Sequence, residues 1–498
     1  MNKDIEALME KGILISPDCV DDEELLDMAR TSHDPDLLFV NSRTKEAIQQ
    51  DQSIDWLAVD AELSREEHVL DALSVNHAPP VRLVSREVHA GYKSKINDFI
   101  GCFNRRFTDI STMLRTRQEL AHLTSIGRIK GKPERENVSI IGMVKEKSET
   151  KNKNLMIEME DQSGIIKVII NKNNAELFTL GRDIVLDETI GVVGQTGKNI
   201  IFANQVVLPN IPLGKEFKKH PDEIYMAIIG DTHFGAKLFL EDAFTKAINW
   251  LRGEVGSPEQ RRIAKLVKYV IFTGDIAEGV GVYPNQDRDL TIKDIKSQYS
   301  TAARTIARIP TDKRIIIIPG NHDVGRIAEP QEPIPRKYAE DLHTLPNLTL
   351  VSSPAMVNIA STDSFPGFDI LIYHGYSLIY YSDNVPSIRE AGGQKRVDLI
   401  MKFLLQRRHL APTHGAIMYV PTADHDPLLI GKVPDFFITG HIHRMSAANY
   451  RNVTMVNAST WVDTSDEQIK RGLEPQPGRL PIINLQTREM KILNFHTP

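Results

Sequence analysis

Residues 315–323 read Ile-Ile-Ile-Ile-Pro-Gly-Asn-His-Asp, an unbroken β-branched run that ends in a turn and three side chains suited to metal chemistry. A run this short and this apolar fits a strand buried on both faces. Pro319-Gly320 stops it. The same layout recurs at Met226-Ala-Ile-Ile-Gly230, Val270-Ile-Phe-Thr-Gly274, Ile370-Leu-Ile-Tyr373 and Phe436-Phe-Ile-Thr-Gly440. Just beyond these runs stand Asp231 and His233, Asp275, His374, and His441 and His443. Buried strands that all end in oxygen and imidazole donors predict those donors along one edge of one sheet.

Asp231-Thr-His233 and His441-Ile-His443 have i, i+2 spacing. In extended chain such pairs project to one side, so both members reach one site. Carboxylate, amide oxygen and imidazole suit Mn²⁺, Mg²⁺, Zn²⁺ or Fe²⁺, and no thiolate is offered. Seven candidates, Asp231, His233, Asp275, Asn321, His374, His441 and His443, exceed what one ion needs. Two ions sharing Asp275 account for all of them. Such a pair clamps the attacking and leaving oxygens of an in-line phosphoryl displacement, and no protein nucleophile is required. Thr413-His414-Gly415 offers a rival to His374-Gly375, but no apolar run precedes it. Glu278 and Asp424-His425-Asp426 read as solvated loop residues, with support of the ligands from behind as the alternative.

The rest of the chain bounds the reading. Its 498 residues predict two to four domains. Hydrophobic content of 41% and charged content of 25% are ordinary for a soluble globular protein. The net charge of −6 argues against a generally basic surface, though not against a local one. Only Cys19 and Cys102 are present, which excludes a disulfide framework and points to a reducing cytoplasm. No run is long enough to span a bilayer.

Residues 1–60 read as a small acidic helical module, and 61–134 as a linker followed by a basic helical segment around Arg105, Arg106, Arg115 and Arg117. That segment predicts a solvated helix leading into the next domain, with a nucleic-acid surface as the alternative. From 135 to 215, strands at 138–144, 155–160, 165–170, 184–193 and 200–207 surround a short helix near Asn174, the rhythm of a five-stranded OB barrel. Few aromatics are present to stack bases, so protein contact is its expected role. From 220 to 498 strands alternate with helices at 241–250, 259–268 and 294–309, and strands return at 453–456, 480–484 and 489–493.

Asp-x-His, Gly-Asp, Gly-Asn-His-Asp, His-Gly and Gly-His-x-His, in this order after strands, resemble the calcineurin-like metallophosphoesterase superfamily. The resemblance implies an α/β (α+β) fold: a β-sandwich with flanking helices and metals at the strand ends. It also implies that Asp231, His233, Asp275 and His443 hold one ion, and Asp275, Asn321, His374 and His441 the other. His322 would protonate the leaving oxygen or steady the phosphate, and Asp323 would orient His322.

A barrel placed directly before such a domain is similar to the B-subunits of replicative DNA polymerases. Gly274-Asp-Ile-Ala-Glu-Gly-Val-Gly-Val-Tyr-Pro284, Arg408-His-Leu-Ala-Pro412 and Val433-Pro-Asp-Phe-Phe437 resemble the small subunits of archaeal family-D DNA polymerases. That family implies a Mn²⁺-dependent 3′→5′ proofreading exonuclease paired with a large catalytic subunit. DNA and a sliding clamp are further expected partners, and no membrane is involved. The rival expectations are an inert scaffold and a phosphatase of proteins or small molecules.

Overall fold

The computed structural model describes residues 78–85, 94–129, 131–465, 468, 470 and 472–496, together with the backbone of Leu14–Ile15 and Phe39–Val40. The chain divides into two compact units, Met1–Asn76 and His77–Pro498. In the first, Leu14–Ile15 and Phe39–Val40 pair in parallel. Apart from these four residues, the helical module read over 1–60 lies outside the described residues, as does Cys19. Everything below concerns the second unit.

A closed five-stranded barrel comes first. Its strands are β1 (Asn137–Glu149), β2 (Leu155–Asp161), β3 (Gly164–Ile170), β4 (Thr189–Gly197) and β5 (Ile200–Val207), in the order β1-β2-β3-β5-β4. The helix expected near Asn174 follows β3. Its Asn174 side chain accepts the Leu177 amide at 3.1 Å, which satisfies one of the open N–H groups of the first turn. The fourth strand begins at Thr189 rather than Ile184. Asp187 adopts φ +65, which ladder geometry does not allow.

Two six-stranded sheets follow. One runs β9-β8-β7-β6-β14-β15, built from β6 (Tyr225–Ile229), β7 (Val267–Phe272), β8 (Arg314–Ile317), β9 (Leu348–Leu350), β14 (Arg479–Asn484) and β15 (Met490–Asn494). The other contains β10 (Ala355–Ile359), β11 (Phe368–Tyr373), β12 (Phe436–Thr439), a hairpin of Ser446–Tyr450 with β13 (Val453–Asn457), and Arg82–Leu83 at its edge. Residues 82–83 lie in the stretch read as linker. They pair with Val357 and Asn358, so this part of the stretch belongs to a sheet.

Alternation along the strands explains the layering. Met226 and Ile228, Tyr269 and Ile271, and Ile316 face inward, where they meet Val357, Ile370, Ile372, Phe436 and Ile438 of the second sheet. Ala227, Ile229, Val270, Ile315 and Ile317 face the other way, onto α1 (Glu241–Leu251), α2 (Pro258–Leu266) and α3 (Ile295–Ile306). Leu371, Tyr373, Phe437 and Met455 bury against α4 (Val397–Arg407) and its neighbours. Each strand is therefore apolar on both faces, and each buried Ile or Leu contributes roughly 1.5–3 kcal/mol. The caps fit the termini: Ser257 and Gln260 form a capping box for α2, and Asp294 accepts the Ser297 amide for α3.

The ligand-bearing strands do not share one sheet, as the sequence led us to expect. β6, β7 and β8 lie in one sheet and β11 and β12 in the other, because the chain crosses between layers after Leu350. Both sheets present the C-terminal ends of these strands to a common rim. No described helix is long and apolar enough to cross a membrane.

Candidate metal centre

The strand-end loops gather the predicted donors into two groups. Asp231, His233 and His443 place one ligand atom each within 4.8 Å of one another. Asp275, His374 and His441 do the same. In the first group His443 Nε2 lies 3.1 Å from Asp231 Oδ2 and 3.1 Å from His233 Nε2. In the second, His374 Nε2 lies 2.9 Å from Asn321 Oδ1 and 3.3 Å from Asp275 Oδ2. The same Asp275 oxygen is 3.7 Å from His233 Nε2, so this carboxylate stands between the groups.

The donor set fits divalent cations. His374 Nδ1 faces the Thr273 carbonyl at 2.8 Å, and a carbonyl can only accept. Nδ1 therefore carries a proton, and Nε2 converges on two oxygens that also only accept, so that a second proton or a cation must stand between them. A cation resolves that convergence. His441 Nε2 is buried and has no hydrogen-bond partner. Buried nitrogens rarely stand alone, and one beside carboxylates is poised for a ligand bond.

The electrostatics show the same demand for positive charge. Burial pushes the His374 imidazole down, but Asp275 and Asp231 outweigh it and raise it to about 10. His233 is likewise raised to about 9, against burial, by Glu278, Asp275 and Asp231. Burial and the neighbouring His374 drive His441 down to about 3. Asp275 resists the upward push of burial because His374, His322 and His233 surround it, and it stays well below the usual carboxylate range. Without a cation, protons on two imidazoles supply the charge that the carboxylates require.

Backbone strain concentrates here. Asp275, His233, His441 and His443 all adopt positive φ, between +48 and +69. Non-glycine residues in this region cost of order 1–3 kcal/mol each, and the surrounding structure must enforce them. Asp323 enforces the first. Its carboxylate accepts the amides of Ile276 at 3.0 Å, Ala277 at 3.0 Å and Gly320 at 2.9 Å, and the Tyr299 hydroxyl at 2.9 Å. Its expected role as the partner of His322 is therefore corrected: Asp323 shapes the Asp275 turn. Gly320 permits the close approach, since a Cβ there would come 2.2 Å from Asp275 Oδ1.

His322 is held by other groups. Its amide donates to Asp275 Oδ1 at 2.8 Å and its Nδ1 donates to the Glu278 carbonyl at 2.8 Å. That bond leaves Nε2 as the ring atom available to substrate. At 19% exposure, His322 is more open than the deeply buried His233 and His374.

Glu278, set aside in the sequence, belongs to the centre. Its Oε2 lies 2.8 Å from His233 Nδ1, a contact bent off the N–H axis, and 3.7 Å from His322 Nδ1. An acid three residues after Asp275 was the available signal, but only the loop's return brings it back. His414 stands elsewhere, edge-on to Phe99, Phe103 and Tyr419. Asp426 pairs with Arg106 and His409. Changing Glu278→Gln keeps the shape but removes the charge that orients His233. A roughly 10–100-fold loss of metal affinity is expected, the range for groups that orient a ligand. Titration calorimetry with Mn²⁺ checks it, and unchanged affinity refutes it.

The family profile and the curated relatives agree on one lineage. A profile of the B-subunit family of DNA polymerases alpha and epsilon matches residues 244–447. The DNA polymerase II small subunit of Methanothermobacter thermautotrophicus is 37% identical over 414 residues, covering 83% of this chain and 82% of the relative. The chain belongs to the archaeal DNA polymerase II small subunits. These are the small subunits of family-D polymerases. The Thermoplasma acidophilum member is 31% identical over 497 residues, covering 99% of this chain and 93% of its own length. A solved archaeal phosphodiesterase aligns with 54% of this chain and 99% of its own at 15% identity and a TM-score of 0.27, too low to bear on the fold.

Proposed function

We propose that this small subunit is a 3′→5′ exonuclease that trims DNA ends for a polymerase whose large subunit extends them. The observation that supports the reading is the position of the Asp275 carboxylate between two groups of ligand-type side chains. On this reading residues 135–215 are an OB barrel and 220–498 a calcineurin-like phosphoesterase domain. Asp231, His233, Asp275 and His443 would hold one cation, and Asp275, Asn321, His374 and His441 the second. Four imidazoles among seven donors favour transition metals such as Fe²⁺, Zn²⁺ or Mn²⁺ over Mg²⁺, and the resemblance to the family puts Mn²⁺ first among them. When bound, the ions supply Lewis acidity toward the phosphoryl oxygens and an acidified water.

The chain's own residues do the rest. The strained turns at Asp275, His233, His441 and His443 fix donor positions before substrate arrives. His322, pinned through Nδ1, offers Nε2 to the departing 3′ oxygen. The net charge of −6 gives the chain little general attraction for DNA, which assigns most of the DNA affinity to the large subunit.

The test uses the full chain co-purified with its large subunit and a primer with a 3′ mismatch. Mononucleotides should be released in Mn²⁺, more slowly in Mg²⁺, and not at all in chelator. Activity on a phosphomonoester but not on DNA would overturn the proposal.

A further inference from the structure

Three apolar side chains stand in the open beside the donor groups. Val280, Val282 and Tyr283 are 51%, 38% and 37% exposed. They follow Asp275 and Glu278 on the loop that leaves β7. The Tyr283 hydroxyl lies 3.2 Å from Glu278 Oε1, and its ring centroid is 6.3 Å from that of His322.

The loop is held firmly. Buried Gln298 accepts the Gly279 amide at 2.9 Å and donates to its carbonyl at 3.1 Å. Buried Gln286 accepts the Val282 amide at 2.9 Å and donates to the Glu278 carbonyl at 3.0 Å. Gly279, at φ +81, lets the loop pass over His322, for a Cβ there would come 2.4 Å from the His322 carbonyl oxygen. Two internal amides thus fix a loop whose apolar side chains remain exposed. Exposed apolar surface on a fixed loop, next to a polar centre, fits a ligand's apolar face.

We propose that Val280, Val282 and Tyr283 form a platform for the unstacked terminal base of a single-stranded 3′ end, which gives the site its preference for frayed over paired ends. The inference rests on the nuclease reading above. A phosphodiester that reaches the donor groups carries its terminal nucleoside into the neighbourhood of this loop. A paired base has its faces covered by its neighbours, whereas an unpaired base offers them. Every base has such a face, so the selection is for strandedness and not for sequence.

The experiment uses the full chain with its large subunit in Mn²⁺. Single-stranded oligonucleotides ending in an ordinary nucleotide are compared with ones ending in an abasic residue. The unmodified protein should release the ordinary terminus on the order of 10–100-fold faster in kcat/KM, the range that stacking of one base provides. V280S with V282S should cut that ratio, with Tyr283 alone left to meet the base, and should leave the rate on the abasic end and the melting temperature unchanged. A ratio near one in the unmodified protein, or one that the double substitution leaves intact, overturns the platform. Failure to release any terminus is a different result: it overturns the nuclease reading, and the platform with it.

Discussion

Asp275→Asn is expected to abolish nucleotide release from single-stranded 3′ ends while folding and subunit assembly persist. Asparagine has the same shape and can still accept the His322 amide through Oδ1, as Asp275 does at 2.8 Å. What it loses is the charge on the atom that lies 3.3 Å from His374 Nε2 and 3.7 Å from His233 Nε2. Both proposed ions depend on that atom. Groups that merely orient a ligand cost roughly 10–100-fold when removed, so loss of the shared ligand should exceed that range. Single-turnover cleavage measures the loss, and size-exclusion chromatography with the large subunit measures assembly. Cleavage at the original rate would sink the nuclease proposal and leave the small subunit a scaffold.

Asp426→Ala should destabilise the fold by about 3–5 kcal/mol, the cost of stranding a buried charge. Arg106 on the helix Ile96–Arg115 is buried, and its Nε donates to Asp426 Oδ2. His409 Nδ1 accepts the Ala411 amide at 2.9 Å, so its proton sits on Nε2 and is donated to the same carboxylate at 2.9 Å. Burial would raise the Asp426 carboxyl, but Arg106 and His409 outweigh it and hold it far below the usual range. A carboxyl lowered in the folded state stabilises above its unfolded value of about 3.9 and loses that contribution as pH falls below it. The gap between the two proteins in chemical denaturation should therefore be full near neutrality and narrow in acid. Arg106→Met combined with Asp426→Leu should recover part of the loss, with the stranded His409 proton accounting for the rest. A change below about 1 kcal/mol for Asp426→Ala would show that the pair is not anchored as described.

This contact also explains why the arginine-rich segment was hard to interpret from sequence. Arg105 and Arg106 are adjacent and chemically identical. Arg105 pairs with Asp109 at the surface, while Arg106 is buried against a residue 320 positions away. Helical phase separates the two faces, but only the partner's position says which face is covered. Arg407 poses the same problem: it ends α4 and reaches the barrel at Glu188, 2.8 Å away. Neither contact has a local signature.

The strands were readable because a strand buried on both faces must be continuously apolar, whatever it packs on. The donors were readable because each stands within four residues of such a strand's end, and strand direction then dictates which rim it occupies. The short helix near Asn174 was readable for similar local reasons, and the structure adds that the Asn174 side chain caps it.

Local sequence thus determined the elements, their apolar faces and which oxygen- and imidazole-bearing side chains stand at the strand ends, since each follows from interactions within a few residues. Only the tertiary structure decided that the donors come from two sheets, that Asp323 braces a turn, and that Glu278 reaches His233. Those outcomes depend on which segments meet after the chain has crossed between layers, and nothing in a residue's near neighbours encodes a meeting made so far along the chain.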